Sequence, residues 1–565
     1  MDLFKIFASA AVFYFLYVSL RLYRNYMRAK TTGFKLRIFP FEIGTPLFTV
    51  IAGPFLSLAL RVFPQSFART YDLGVYGVEY RDRVAKRERE TPAYLVVTPA
   101  NALELFVEDG EIANAILARR REFEQDNVSR KIMNNFGDSL AGSVGEGWSR
   151  QRRLIAPMLN ERIMETVWSE SQQQTHEMMS HFTNLENGTT NGTVTGLRTI
   201  AFNILSTIGY GMPAKWTADV KQARKGEKMD FMETLLHVVD GLILLVVFPP
   251  WLLRQFWMPK SLRQIGEAYY QFYEHSSDML QKERRSLRSS GTPRNTFLSS
   301  LASVNDHEED AYEKEGRVNK PAFTEEQITG NLYTFTLAGY DTTANTMAYA
   351  IAMLAAYPQW QDWIIEEIDQ IHKEVSNPNS YQNVLPRLER CLAVMFETLR
   401  MFTPVAHIVR ECPVEKVVTS RGKSYRIPAN TRCTLSLDGV GAHRDVWGDD
   451  VFEFRPSRWG AKATKLTGAN SIAQVPKLEA AGAKEHFLPW SSGPRACPGM
   501  KMAQTEFLSV IYTIFSEFRA EPALEAEESL EQGLSRIAAI VADSQPKLTL
   551  QMNRPNDLKL KWVKR

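Results

Sequence analysis

Cysteine is scarce in this chain. Its 565 residues hold four, Cys391, Cys412, Cys433 and Cys497, with no Cys-x-x-Cys spacing, so nothing suggests a disulfide framework and a reducing compartment is implied. Excess charge is missing too. Lys and Arg number 67 against 64 Asp and Glu, and a formal net charge of +3 is too small for a dedicated nucleic-acid binder. No flavin or nicotinamide fingerprint occurs. What is present is core material: 44% hydrophobic and 23% charged residues make a globular composition. The length suits roughly two to four average domains, or one large domain with an anchor.

Residues 6–20 are apolar apart from Ser9, Tyr14, Tyr17 and Ser19, and Leu3 and Phe4 extend the run toward the length of a bilayer-spanning helix. Arg21, Arg24, Arg28 and Lys30 follow it, against Asp2 and Lys5 before it, which places the bulk of the chain in the cytosol. No small-residue cleavage site follows, so the expectation is an uncleaved anchor over residues 1–30. A membrane-proximal segment is expected over 31–70 and a catalytic domain over 71–565. Within the former, residues 39–63 are broken by Pro46, Gly53 and Pro54 and read as interfacial or core-packing.

Further along, residues 93–98 and 103–108 predict a hairpin, and residues 111–121 a helix. Residues 184–196 read as a surface loop carrying Asn187-Gly-Thr and Asn191-Gly-Thr; with Asn127-Val-Ser these fit the glycosylation pattern but would stay unmodified in the cytosol. Residues 241–253 are either core or a membrane-facing lid. Residues 305–320 read as a solvated linker and 460–484 as a flexible insertion. Residues 547–552 and 558–563 predict a C-terminal hairpin.

Four stretches carry chemistry. In the first, Gly493 and Gly499 flank Cys497 while Pro494 and Pro498 stiffen the loop, and the apolar helix that follows would turn its N-terminal amides toward a negative sulfur. Arg495 adds positive charge beside it. In the second, Trp148 and Arg152 are four apart on one helical face and could together grip a carboxylate. In the third, a capping box at Thr324 and Gln327 starts a helix reaching Tyr357. Ile328, Leu332, Phe335, Gly339, Thr342 and Thr346 share its stripe. Ala338, Gly339, Asp341, Thr342 and Thr343 weaken an otherwise apolar helix, so a flat ligand is expected against them. In the fourth, Glu397 and Arg400 make a local ion pair worth only tenths of a kilocalorie. Taken singly, each has an ordinary explanation: a buried cysteine in a turn, a basic amphipathic helix, a hydroxyl-bent core helix.

Together they resemble the cytochrome P-450 monooxygenases, whose haem-binding loop is matched by Gly493-x-Arg495-x-Cys497-x-Gly499. The fold this implies is mainly α with small β regions, preceded by an N-terminal membrane helix. The resemblance makes Cys497 the axial ligand of haem iron, where a thiolate favours O–O cleavage. It makes Trp148, Arg152 and Arg410 partners of the propionates, and lays Ala338, Gly339, Trp490, Arg495 and Gly499 along the cofactor. Thr342 and Asp341 would deliver protons to dioxygen. Glu397, Arg400 and Arg458 would form the triad that locks the meander beneath the haem, with Ser457 and Trp459 departing from the usual Glu and Phe. Val405, Ala406, His407 and Ile408 would face substrate, His407 without a catalytic role. The motif over residues 443–448 is shorter than its counterpart and lacks the proline. Trp490 stands where phenylalanine is usual, and its N–H could meet Cys497, a propionate or a backbone carbonyl.

The implied reaction inserts one atom of dioxygen into a hydrophobic small molecule such as a terpenoid, polyketide, alkaloid or fatty acid. Electrons would come from NADPH through a separate NADPH-cytochrome P-450 reductase at the endoplasmic reticulum membrane, with no nucleic-acid partner. Two alternatives share the cofactor. A haem-thiolate isomerase or dehydratase has no use for the Asp341-Thr342 pair, and a haem sensor would not turn over.

Overall fold

The computed structural model describes residues 2–39, 93–100, 102–218, 228–290, 294–304, 323–460 and 485–565. Helices dominate, as expected. Those that build or support the site are α1 (Asp2–Ala29), α2 (Gly145–Ile155), α3 (Glu161–Thr183), α4 (Thr193–Leu205), α5 (Lys260–Ser290), α6 (Glu325–Ala356), α7 (Glu389–Met401), α8 (Met500–Glu517) and α9 (Leu530–Ala542).

The axis of the molecule is α6. Thr324 Oγ1 accepts from the Gln327 amide at 3.1 Å and Gln327 Oε1 accepts from the Thr324 amide at 3.3 Å, the reciprocal cap expected of that pair. Tyr357 and Pro358 end the helix. Its C-terminal half is buried on every side from Asn345 to Ala356, rich in alanine, and packed against α4, α7 and α9. Small side chains allow that close approach. α8 lies along α3 with residues Thr505 to Phe515 buried, which anchors the cysteine loop at the N-terminal end of α8.

A mixed sheet lies beside the bundle. Its strands are β1 (Lys35–Ile38), β2 (Ala93–Val97), β3 (Leu103–Val107), β4 (Glu124–Gln125), β5 (His407–Cys412) and β6 (Thr431–Ser436), in the order β1-β2-β3-β6-β5-β4. The predicted β2–β3 hairpin is present, with Leu95 opposite Leu105. The helix expected over 111–121 runs from Gly110 to Ala118.

Several expectations change. Residues 184–196 are not all loop: Thr189 and Thr190 pair with Lys561 and Leu560, and α4 begins at Thr193, because Thr190 and Thr193 are buried against the bundle. Asn127, Asn187 and Asn191 are exposed. The C-terminal segments do not pair with each other. Leu550–Met552 pairs with Ser544–Pro546, while Leu560–Lys564 pairs with Phe518–Pro522, which buries Leu560 and Trp562. Residues 241–253 divide: Leu242, Leu245 and Leu253 are core, but Ile243, Phe248 and Trp251 are exposed. Residues 40–63, 305–320 and 461–484 lie outside the described residues.

Among the described residues no helix is long and apolar enough to cross a membrane. In α1 the serines and tyrosines dilute the run that Arg21 ends, short of the ~20 apolar residues a span needs. Past the arginines, Ala29 and Phe34 are buried in the core beneath the sheet.

Candidate active site

The Cys497 loop is held by its own backbone. The Cys497 amide donates to Trp490 O at 2.9 Å, and Gly493 sits at φ 68°, where a Cβ would come within 2.8 Å of Leu117 O. Only glycine fits there. Unlike the other three cysteines, Cys497 is exposed, and it lines a cavity of about 410 Å³ with protein packed densely around it. Burial pushes the Cys497 thiol up, opposed by the Gly499 amide and the Arg152 guanidinium. Trp490 lines the same cavity and packs edge-on against Phe396 and Phe487, at 5.9 and 6.1 Å between centroids.

The rim of that cavity is cationic. Arg152, Arg410 and Arg495 all line it, with Trp148. Guanidinium carbons of Arg120 and Arg495 lie 4.5 and 4.9 Å from the Trp148 ring, a contact that fixes the indole. Burial, then the charges of Arg410 and Arg120, pull Arg495 down to about 10. Burial also lowers Arg410. Such crowding asks for anions. A sulfur on an apolar cavity beside these guanidiniums fits haem, whose two propionates would supply the missing charge.

The predicted triad forms. Glu397, fully buried, accepts from Arg400 Nε and Nη2 at 2.9 Å each and from Arg458 Nε at 2.8 Å. Two further donors join that the sequence did not announce, the Arg455 amide and the Trp459 indole, both at 3.0 Å. Trp459, a departure from the family pattern, therefore supplies what phenylalanine could not. Burial alone would raise the Glu397 carboxyl, but Arg400 and Arg458 hold it below its usual range.

On α6, Ala338, Gly339, Thr342, Thr343 and Thr346 line the cavity. Thr342 Oγ1 donates to Ala338 O at 2.6 Å. Gly339 has a second reason to exist: a Cβ there would lie 2.8 Å from Leu205 Cδ2, so it also lets α4 approach. Asp341 is turned elsewhere. Its Oδ1 accepts from Arg198 at 3.3 Å, and its Oδ2 accepts from Thr549 and, at 3.0 Å, from Gln551.

Of the four residues expected at substrate, Val405 and Ile408 line the cavity. Ala406 and His407 do not belong to that surface. Side chains alternate along β5, so Ile408 and Arg410 share the cavity face while His407 takes the other. Ala406 is buried, with its carbonyl accepting from Leu437. Phe297 and Phe335, stacked at 4.7 Å, form an aromatic wall. Phe335 stood on the predicted stripe; Phe297, Arg120 and Arg198 had no motif to mark them. His443, from the shortened motif, clusters with Asp109 and His486. Arg421 lies 3.0 Å from His443 and 4.0 Å from Asp109, and its charge takes the place of a cation.

The Cytochrome P450 family profile matches residues 97–547, which take in every cavity-lining residue named above. A phomenoic acid biosynthesis cluster cytochrome P450 monooxygenase of Leptosphaeria maculans is 27% identical over 489 residues, 79% of this chain and 79% of that protein. A cytochrome P450 monooxygenase of Penicillium rubens is 24% identical over 534 residues, 90% of this chain and 89% of its own. Another from Postia placenta is 26% identical over 452 residues, 79% and 80% of the two chains. A match of that extent, running through the cysteine loop, the buried triad and the helix that faces them, makes this chain a member of the cytochrome P450 family and a monooxygenase.

Proposed function

We propose that the chain oxidises a hydrophobic secondary metabolite, with haem held by Cys497 and its propionates met by Trp148, Arg152, Arg410 and Arg495. When bound, the haem supplies the oxygen-activating chemistry. The protein's part is to orient and to move protons. Leu205, Phe297, Phe335, Val405, Ile408 and Leu437 exclude water and turn an apolar molecule toward Thr342. Thr342 Oγ1 holds a proton at the cavity wall, and Asp341 exchanges it with solvent once its Thr549 and Gln551 hydrogen bonds loosen. The observation that carries this reading is the single cavity shared by the Cys497 sulfur, the Thr342 hydroxyl and an apolar wall.

Electrons come from NADPH through a separate reductase, consistent with the missing flavin and nicotinamide fingerprints. The chain works at the endoplasmic reticulum membrane, where α1 and the exposed Trp251, Phe256 and Trp257 meet lipid. The substrate is a terpenoid, polyketide, alkaloid or fatty acid; the phomenoic acid biosynthesis relative supports a biosynthetic role. Compounds of these classes are screened by haem spectral shift, and binders are incubated with NADPH, reductase and ¹⁸O-labelled dioxygen. One labelled oxygen per product is expected. Reductase-independent rearrangement without label would overturn the reading.

A further inference from the structure

The two ends of α1 have opposite surroundings. Among the described residues its first half is bare: Val12, Phe13, Tyr14, Phe15, Leu16, Tyr17 and Leu20 are between 55% and 74% exposed, and together they fall on all sides of the helix. An apolar helix left bare all round is stable only in an apolar medium. Arg21, Arg24 and Lys30 follow at one end, the charge that anionic lipid headgroups attract.

The other end is built into the protein. Leu22 and Tyr26 pack on the core beneath the sheet, and Ala29 is fully buried in it. Asn25, 5% exposed, donates through Nδ2 to Thr98 O and Ala100 O, both at 2.8 Å, just after β2. Arg28 Nη2 donates to Ala429 O at 2.5 Å. Gly33 then turns at φ 85°, Phe34 stacks on Tyr425 at 4.8 Å, and the chain enters β1 alongside β2. Between the bare end and this latch the helix is unbroken, with no glycine or proline from Asp2 to Ala29.

We propose that α1 is a rigid strut rather than a tether: its bare end is seated in a lipid leaflet, and the Asn25–Arg28 latch transmits its direction to the sheet. The tilt of the whole enzyme on the membrane is thereby fixed. Seating in lipid rests on the membrane reading above; rigidity is the new claim. Fixing the tilt would hold the cavity at one attitude to a bilayer that delivers apolar substrate.

The full-length holoenzyme is placed on oriented bilayers of phosphatidylcholine and phosphatidylserine, and haem orientation is read by linear dichroism. The wild type should show strong dichroism. Inserting Gly-Gly between Leu20 and Arg21 leaves both ends intact; it should keep the protein on vesicles while dichroism falls to near the isotropic value. Asn25→Ala with Arg28→Ala should do the same, with some loss of thermal stability. Unchanged dichroism in the Gly-Gly variant would overturn the strut. Failure of the wild type to co-sediment with vesicles would instead remove the membrane reading, and self-association through α1 without lipid would make a second copy its occupant.

Discussion

Two buried carboxylates, Glu397 and Asp341, divide the molecule into a part that must not move and a part that must. Glu397 accepts from five donors on α7 and the following meander, all of them internal, and every bond is 3.0 Å or shorter. Asp341 sits on the cavity helix with a longer contact to a partly exposed Arg198 and with two side chains, Thr549 and Gln551, of the hairpin that pairs Leu550–Met552 with Ser544–Pro546. One arrangement is saturated and rigid. The other can be traded for water, which suits a group that passes protons. Charge burial teaches nothing by itself; the number and exposure of the donors separate scaffold from machinery.

The largest effect should come from breaking the saturated side. Glu397→Gln leaves Arg400 buried without its counter-charge and leaves Arg458 to Asp450 at 3.4 Å, a loss of about 3–5 kcal/mol for a broken buried pair. Chemical unfolding should find little native, haem-loaded protein. Trp459→Phe tests the same carboxylate more gently: it removes one charge-assisted bond, costs about 1–3 kcal/mol, and should leave activity per haem unchanged. A fall in activity per haem would mean the two regions are not separate.

On the other side, Thr342→Ala removes a hydroxyl that, among the described residues, bonds back to its own helix. Stability should stay within about 0.5 kcal/mol of wild type, while the peroxide formed per NADPH consumed rises sharply. Unchanged coupling would take Thr342 out of the proton path. The smallest effect is one of pH. Burial, and then the charge of Arg432, hold His407 at about 4 rather than 6.5. Between those values the unfolded chain binds a proton that the fold refuses, so stability present above pH 6.5 is lost as pH falls through 4. His407→Gln should flatten that stretch of the stability profile in urea titrations.

The rigid half was the more legible in sequence. Cys497 with its flanking glycines, and Glu397 with Arg400, sit in short contiguous motifs because loop geometry and helical spacing are local matters. The helix start at Thr324 and the β2–β3 hairpin were readable for the same reason. Contacts made by tertiary approach left no trace: Arg198 reaches Asp341 across 143 positions, and Thr549 across 208. Strand phase was readable in principle. Residues 405–408 are contiguous in sequence but do not form one surface, because alternation turns His407 away from Ile408. The two C-terminal strands are recognisable by local propensity, but their partners, Ser544–Pro546 and Phe518–Pro522, are set by tertiary approach.

All of this depends on a thiolate at the cavity floor. The direct measurement is the absorption spectrum of the dithionite-reduced, carbon monoxide-bound protein, wild type beside Cys497→Ser. A red-shifted Soret band in the wild type, lost in a variant whose circular dichroism is unchanged, is the predicted result. A variant that keeps the band would contradict Cys497 as ligand, and with it the assignment of every residue placed around the cavity.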